Sequence, residues 1–249
     1  MKKILIIVVV LLVLAVGWYI NSNEPIPKRV NTEVSSGDIT PADALANKML
    51  KAINMEAWDK IHFVQWTFRD KRHFVWDKVD HLVQVVWDDN RVLINPNSSA
   101  GIAYQDEVLQ EGEEANELVS KAIDAFNNDS FWLNAPAKVY DNGTERSIVK
   151  HEGKDALMVK YNSGGSTPGD SYLWILDDNG LPTGWKMWVS IIPVGGVELT
   201  WEEWTDYNGA KLAQFHKGEV FDLRISNIKT GMNLTDLDIT VDIFAELRE

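Results

Sequence analysis

Tryptophan is the residue type whose number and spacing carry the most chemical information in this chain. The sequence of 249 residues holds 11 tryptophans, and several fall on alternate positions of segments with strand-like patterns. An ordinary core seldom needs so many indoles, because each ring must satisfy its N–H once it leaves water. A concave sheet lined with indoles and aliphatic side chains suits an acyl chain. The alternative is that the rings fill the space between the sheet and its helices.

Acidic pairs are the next candidates for chemistry. Glu202 and Glu203 lie between Trp201 and Trp204, and a glycosidase uses two carboxylates. Neighbouring strand residues point to opposite faces of a sheet, so at most one of the two carboxylates shares a face with Trp201. Hydrolysis of an envelope glycan by Glu202 or Glu203 is therefore a minor hypothesis.

Metal and nucleophile signals are absent from the sequence. The chain contains no cysteine, which removes thiolate ligands, disulfides and a cysteine nucleophile. The histidines show no ligand spacing, and there is no nucleophile elbow, phosphate-binding loop or dinucleotide fingerprint. These histidines are His62, His73, His81, His151 and His216. We therefore predict no catalytic residue, no metal site and no cofactor.

The first twenty residues predict where the protein works. Residues 4–20 are uncharged and nearly all apolar, and roughly 17–25 such residues cross a bilayer as a helix. Lys2 and Lys3 precede the run, which places the N-terminus in the cytoplasm. We predict that residues 1–20 anchor the chain in the inner membrane, with everything after them in the periplasm. A cleaved signal segment and a secreted product form the alternative.

The net charge of the chain limits the classes of molecule that it can bind. The formal net charge is −13, which argues against nucleic acid, since nucleic acid requires a basic surface. The same charge disfavours electrostatic docking on an anionic membrane. The predicted partners are a lipid or an acylated lipoprotein and, through residues 4–20, the membrane. No protein partner is indicated.

The rest of the chain divides into a linker and one domain. Residues 21–39 are polar and contain two prolines, which predicts a flexible linker. Residues 40–249 form the predicted exported domain. Thr40 and Pro41 indicate the start of a helix that runs to about residue 55. A second amphipathic helix is predicted over 113–126, ending at the polar residues 127–129.

In most of the remaining sequence, apolar and polar residues alternate with a period of two, and turn residues separate the alternating segments. The predicted strands are 62–68, 72–76, 82–87, 91–94, 131–140, 145–151, 155–162, 171–177, 184–192, 197–207, 210–216 and 219–228. Residues 232–249 fit either a strand or a short helix. We predict an α+β, mainly β fold, in which two amphipathic helices pack on the concave face of one large antiparallel sheet. A sandwich is the alternative architecture, although it would leave those helices without an obvious place to pack.

The order of these elements resembles that of the periplasmic lipoprotein carriers, the Lol carrier superfamily. The similarity lies in the early helix, in Trp66-Thr67-Phe68-Arg69 and Val75-Trp76-Asp77, and in the segment 128–133 that follows the second helix. It extends over most of residues 40–230. This chain differs in having a predicted protein anchor and no cysteine to acylate.

The resemblance implies an open half-barrel, closed by helices, whose apolar cavity holds acyl chains. The cavity residues that it implies are Val64, Trp66, Phe68, Phe74, Trp76, Trp174 and Trp201. The sequence thus favours a membrane-anchored protein that binds a lipid or the acyl chains of a lipoprotein without covalent catalysis. An anchored envelope scaffold with a filled aromatic core is the alternative.

Overall fold

A computed structural model describes residues 23–30, 38–164 and 166–248 of the chain. The predicted anchor over residues 1–20 lies outside these residues. No helix within the described ranges is long and apolar enough to cross a bilayer.

The described helices include the two predicted from the sequence. They are α1 (Pro41–Ala52), α2 (Met55–Lys60), α3 (Gly112–Asn134) and α4 (Ala245–Arg248), with 3₁₀ helices at Ala135–Lys138 and Leu234–Leu237. The Asp43 amide donates to the Thr40 hydroxyl, 3.0 Å away. Thr40 thus caps α1 as its sequence predicts.

The second helix is longer than predicted, and the predicted strand over 131–140 is wrong. Helix α3 continues through residues 127–129 to Asn134 and is followed by a 3₁₀ helix. Tertiary contacts outweigh the weak helix propensity of this segment. Asp129 is fully buried and pairs with Arg72, while Phe126 and Leu133 keep the helical spacing and pack into one core.

Fifteen strands are found among the described residues. They are β1 (Phe63–Phe68), β2 (Arg72–Asp77), β3 (Leu82–Trp87), β4 (Asn90–Asn95), β5 (Ala100–Gln105), β6 (Val108–Leu109), β7 (Thr144–His151), β8 (Lys154–Tyr161), β9 (Ser171–Leu176), β10 (Pro182–Trp188), β11 (Val197–Thr200), β12 (Thr205–Tyr207), β13 (Ala210–Leu212), β14 (Phe215–His216) and β15 (Leu223–Gly231).

The strands form two large antiparallel sheets rather than one. Sheet 1 has the order β14-β15-β1-β2-β3-β4-β5-β6, sheet 2 has the order β11-β10-β9-β8-β7, and β12 and β13 form a separate hairpin. Helix α3 intervenes between β6 and β7, and only isolated bridges such as Leu199–Gly218 join the sheets at the other end. The mainly β, antiparallel prediction is confirmed, and the single continuous sheet is corrected to two.

Each sheet covers its own hydrophobic core. In the first core, Val119, Ala122 and Phe126 of α3 pack against sheet 1. In the second core, Ala46 and Met49 of α1 pack against sheet 2. Both predicted helices therefore lie against a sheet face, and the C-terminal half of α3 also reaches the second core.

Segments near both chain ends pack against the sheets. Phe244 is fully buried against Val75 and Leu93 on sheet 1. Residues 23–30, which we name the N-terminal strap, contact sheet 2. The Val30 amide donates to the Ile148 carbonyl of β7 at 2.8 Å. The strap belongs to the segment that the sequence predicts as linker.

Candidate functional site

The sequence-predicted cavity residues fall into two groups. Val64, Trp66, Phe68, Phe74 and Trp76 belong to the first core, whereas Trp174 and Trp201 belong to the second. All are buried except Trp76, which is half-buried. Trp66 stacks on Phe74 with ring centroids 4.6 Å apart. The structure therefore places these seven side chains inside packed cores.

A separate cavity of about 470 Å³ lies between the C-terminal half of α3 and the near ends of β8, β9 and β10. This size falls within the range of small-molecule sites, roughly 300–1,000 Å³. None of the seven predicted residues lines it. Its apolar wall is formed by Phe131, Trp132, Tyr161, Tyr172, Trp185, Met187, Val189, Ile191 and Ile192.

Aromatic rings from four elements, α3, β8, β9 and β10, form the centre of this wall. Phe131 of α3 lies 4.9 Å from Tyr172 and 5.2 Å from Tyr161, measured between ring centroids. Trp185 lies 4.8 Å from Tyr172 and packs edge-on against Trp132. The wall depends on the extension of α3 beyond residue 127, because that extension supplies Phe131 and Trp132.

The Tyr161 hydroxyl is a buried polar group beside the cavity. It has no hydrogen-bond partner among the described residues. Burial, with a smaller contribution from Asp141, raises the pKa of the Tyr161 phenol well above its usual range. The phenol is therefore neutral at physiological pH. A buried hydroxyl without a partner costs free energy. The indole N–H groups of Trp174, Trp185 and Trp201 in the same core also have no partner among the described residues.

Two loops that border the cavity are tied together through Asp170. Its carboxylate accepts from the Thr167 hydroxyl at 2.6 Å and from the Ser190 amide at 2.9 Å. Farther along the rim, the Ser166 hydroxyl donates to Asp124 on α3 at 2.8 Å. These bonds connect α3, the loop after β8 and the loop after β10 around the opening.

The polar rim is acidic. Among the described lining residues, Asp124, Asp141 and Asp170 carry carboxylates, and Lys138 is the one cation. The Lys138 ammonium is already 3.2 Å from Asp141. An anionic ligand would therefore meet net repulsion at the rim, whereas a neutral or zwitterionic one would not.

A buried ion pair fixes the segment of α3 that supplies the wall. Arg72 of β2 donates from Nε and an Nη to the two oxygens of Asp129, at 2.5 and 3.0 Å. Burial raises the pKa of Asp129, and the hydrogen bonds from Arg72 act in the opposite direction. Asp129 immediately precedes Ser130 and Phe131, so the pair positions the cavity side of the helix.

The other sequence candidates lie away from the cavity. Arg224 holds the Glu203 carboxylate with two hydrogen bonds of 2.7 and 2.9 Å, and Glu202 lies in an isolated bridge to Phe215. His216 is fully buried against Trp201, and burial lowers its pKa to about 4. Within the described residues, no group of three or more histidine, aspartate or glutamate side chains is arranged to hold a metal ion.

Sequence reasoning missed the residues that line the cavity. Treating residues 127–129 as a helix end moved Phe131 and Trp132 into a strand. The overlooked signal is the spacing of Phe126 and Leu133, seven positions apart, which continues the apolar stripe of the helix. Tyr161 and Ile191 lie at strand ends and in loops, where no periodic pattern identifies them.

Comparison with known proteins gives distant structural similarity only. No protein-family model matches the chain, and no curated protein matches it. A solved DUF1329 family protein from Desulfovibrio piger aligns with 80% of this chain and 96% of its own, at 11% identity and a TM-score of 0.41. The function therefore has to follow from this chain's own residues.

Proposed function

We propose that this protein binds the acyl chain of a lipid or lipoprotein in the cavity beside Phe131, Tyr172 and Trp185, without covalent catalysis. The observation that carries the proposal is the cavity itself, about 470 Å³ in volume, with an aromatic and aliphatic wall and a polar rim. Transfer of one methylene group from water to such a wall contributes about 0.8 kcal/mol. A short stretch of acyl chain thus gives useful affinity.

The rim favours ligands whose headgroup has no net negative charge. Asp124, Asp141 and Asp170 surround one cation that is already paired. A fatty acid carboxylate or an anionic headgroup would lose binding energy there. Phosphatidylethanolamine, whose ammonium can approach the carboxylates, fits the rim better.

The proposed setting is the membrane that would hold residues 4–20, with the cavity domain on its periplasmic side. A tethered domain exchanges lipid only with structures that it reaches from its own membrane. The resemblance to lipoprotein carriers supports binding to acyl chains and stays a prediction. The scaffold alternative draws support from the first core, where α3 fills the inner face of sheet 1.

Photolabelling tests the proposal on the full chain. The chain is reconstituted into vesicles containing phosphatidylethanolamine with a diazirine near the end of one acyl chain, and the labelled peptides are mapped. We expect label on peptides containing Phe131 or Tyr172. Val189→Asp should reduce that label at least about tenfold, because an acyl chain would have to desolvate the new carboxylate.

Val189→Leu is the matched control, because it keeps the wall apolar at the same position. It should retain the label. Near-ultraviolet circular dichroism establishes that both variants are folded. Absence of label from the Phe131 and Tyr172 peptides in the folded parent protein would refute acyl-chain binding in this cavity.

Removing the unpartnered Tyr161 hydroxyl is expected to stabilise the protein. Tyr161→Phe eliminates a buried polar group that makes no hydrogen bond, and the free energy of unfolding should rise by about 1 kcal/mol. Tyr140→Phe is the control at a partnered hydroxyl, since the Tyr140 hydroxyl donates to Asn47 at 3.0 Å from a more exposed ring. That change should destabilise. Urea denaturation measures both, and a loss of stability in Tyr161→Phe would show that its hydroxyl is satisfied.

A further inference from the structure

The start of the N-terminal strap is fastened to the loop that borders the cavity. The Glu24 amide donates to the Gly195 carbonyl at 3.0 Å. The Gly195 amide in turn donates to the Asn23 side-chain oxygen at 2.9 Å. The first described residues of the chain are therefore hydrogen-bonded to residues 189–196, which we name the β10–β11 loop.

Side chains on β10 reinforce this attachment. The Lys186 ammonium lies 2.7 Å from the Glu24 carboxylate, and the Trp188 indole N–H donates to the Glu24 carbonyl at 2.6 Å. Gly195 is required for the close approach, since a Cβ there would lie 2.8 Å from the Glu24 carbonyl oxygen. Several independent contacts thus hold the strap at one place on the domain.

Chain length limits how far this attachment lies from the predicted membrane span. The apolar run ends at Ile20, three residues before Asn23. At no more than about 3.6 Å per residue, those residues cover at most about 11 Å. The headgroup layer on each side of a bilayer is roughly 5–8 Å thick. If residues 4–20 cross the membrane as predicted, the β10–β11 loop lies at or near its surface.

The composition of the β10–β11 loop suits contact with lipid. Its eight residues include no charged side chain. Ile191 is 66% exposed, and Val189, Ile191 and Ile192 all line the cavity. Because the chain carries a net charge of −13, contact with an anionic membrane must be apolar rather than electrostatic.

We propose that the β10–β11 loop contacts the bilayer surface through Ile191 and holds the cavity opening against the membrane in which the chain is anchored. The partner is the lipid surface itself. The proposal deepens the proposed function, on which its biological meaning rests: a lipid would pass from the bilayer into the cavity without crossing water.

Site-specific quenching tests this contact in the full chain. Since the sequence has no cysteine, Ile191→Cys and Val241→Cys each provide a single position for an environment-sensitive fluorophore. Val241 is a matched control with the same 66% exposure, located beyond β15. The labelled chains are reconstituted into vesicles of phosphatidylethanolamine and phosphatidylglycerol with nitroxide-bearing lipids. We expect several-fold stronger quenching at position 191 than at position 241.

Equal quenching at the two positions would overturn the membrane contact. This quenching measurement is independent of the test of the proposed function, in which photolabel is measured on the Phe131 and Tyr172 peptides. Quenching at 191 without that photolabel would support the membrane contact and refute the cavity ligand. Photolabel on those peptides without preferential quenching at position 191 would support the cavity ligand and refute the membrane contact.

Discussion

Replacing Arg72 with methionine is expected to lower the free energy of unfolding by about 3 kcal/mol at pH 7. The substitution leaves Asp129 fully buried without its cation. Removal of one partner from a buried ion pair costs about 3–5 kcal/mol. The lower end applies here because the Arg72 side chain is 35% exposed. Urea denaturation at constant temperature measures the change.

The loss should depend on pH in a defined direction. Burial raises the pKa of Asp129 above its ordinary value of 3.8, so the folded state holds the proton more tightly than the unfolded state. This group therefore costs stability as pH rises from the unfolded pKa through the folded one. Without Arg72 the folded pKa rises further, and Arg72→Met should lose more stability at pH 7 than at pH 4.

A double variant separates charge from packing. Arg72→Met combined with Asp129→Leu removes both charges and should recover most of the lost stability. Arg72 also lies over the Phe68 ring, 5.2 Å from its centroid. An equal loss at both pH values, with no recovery in the double variant, would assign the effect to that packing instead of the ion pair.

Trp201→Ala is expected to destabilise the protein by about 3–5 kcal/mol, the usual cost of removing a buried aromatic side chain. Trp201 is 2% exposed and contacts Trp174, Trp185 and His216, at centroid distances of 5.2, 5.1 and 4.5 Å. Loss of the ring leaves a cavity among neighbours that are themselves tightly packed. Thermal and urea denaturation measure the loss.

The same variant tests whether the buried tryptophans contact ligand. Trp201 does not line the cavity, so the folded fraction of Trp201→Ala should retain photolabel on the Phe131 peptide. Trp201→Phe serves as the control, because the smaller ring fills much of the space and should lose less stability. Loss of photolabel in folded Trp201→Phe would instead place Trp201 in the binding site.

Regular periodicity predicted a large part of the fold. Alternation in residues 63–68 correctly placed Val64, Trp66 and Phe68 on one buried face, because a strand that packs on one side must alternate. The Thr40 cap predicted the start of α1 for a local reason. The strand alternation and the helix cap both depend on nearby residues only, so they can be recognised without knowledge of the tertiary structure.

The cavity could not be predicted in the same way. It depends on Asp129, whose burial inside a helix is made possible by Arg72, 57 positions earlier in the chain. On its own, the polar Asn-Asn-Asp sequence indicates the end of a helix. Only the distant partner Arg72 shows that the helix continues through it. The division into two sheets was equally hidden, because it depends on strand pairing: Leu199–Gly218 and Glu202–Phe215 are isolated bridges instead of a continuous ladder.

The pairing of β1 with β15 also has a consequence for folding. Thr67 and Asn227, which are hydrogen-bonded to each other, lie 160 positions apart, and β15 is the last strand among the described residues. At 5–20 residues per second, roughly 8–32 s separate the synthesis of the two strands. During that interval, one edge of β1 keeps its backbone N–H and C=O groups unpaired in an uncharged, aromatic-rich segment. Such an edge is prone to aggregation, so residues 63–68 are exposed to mispairing until β15 pairs with them.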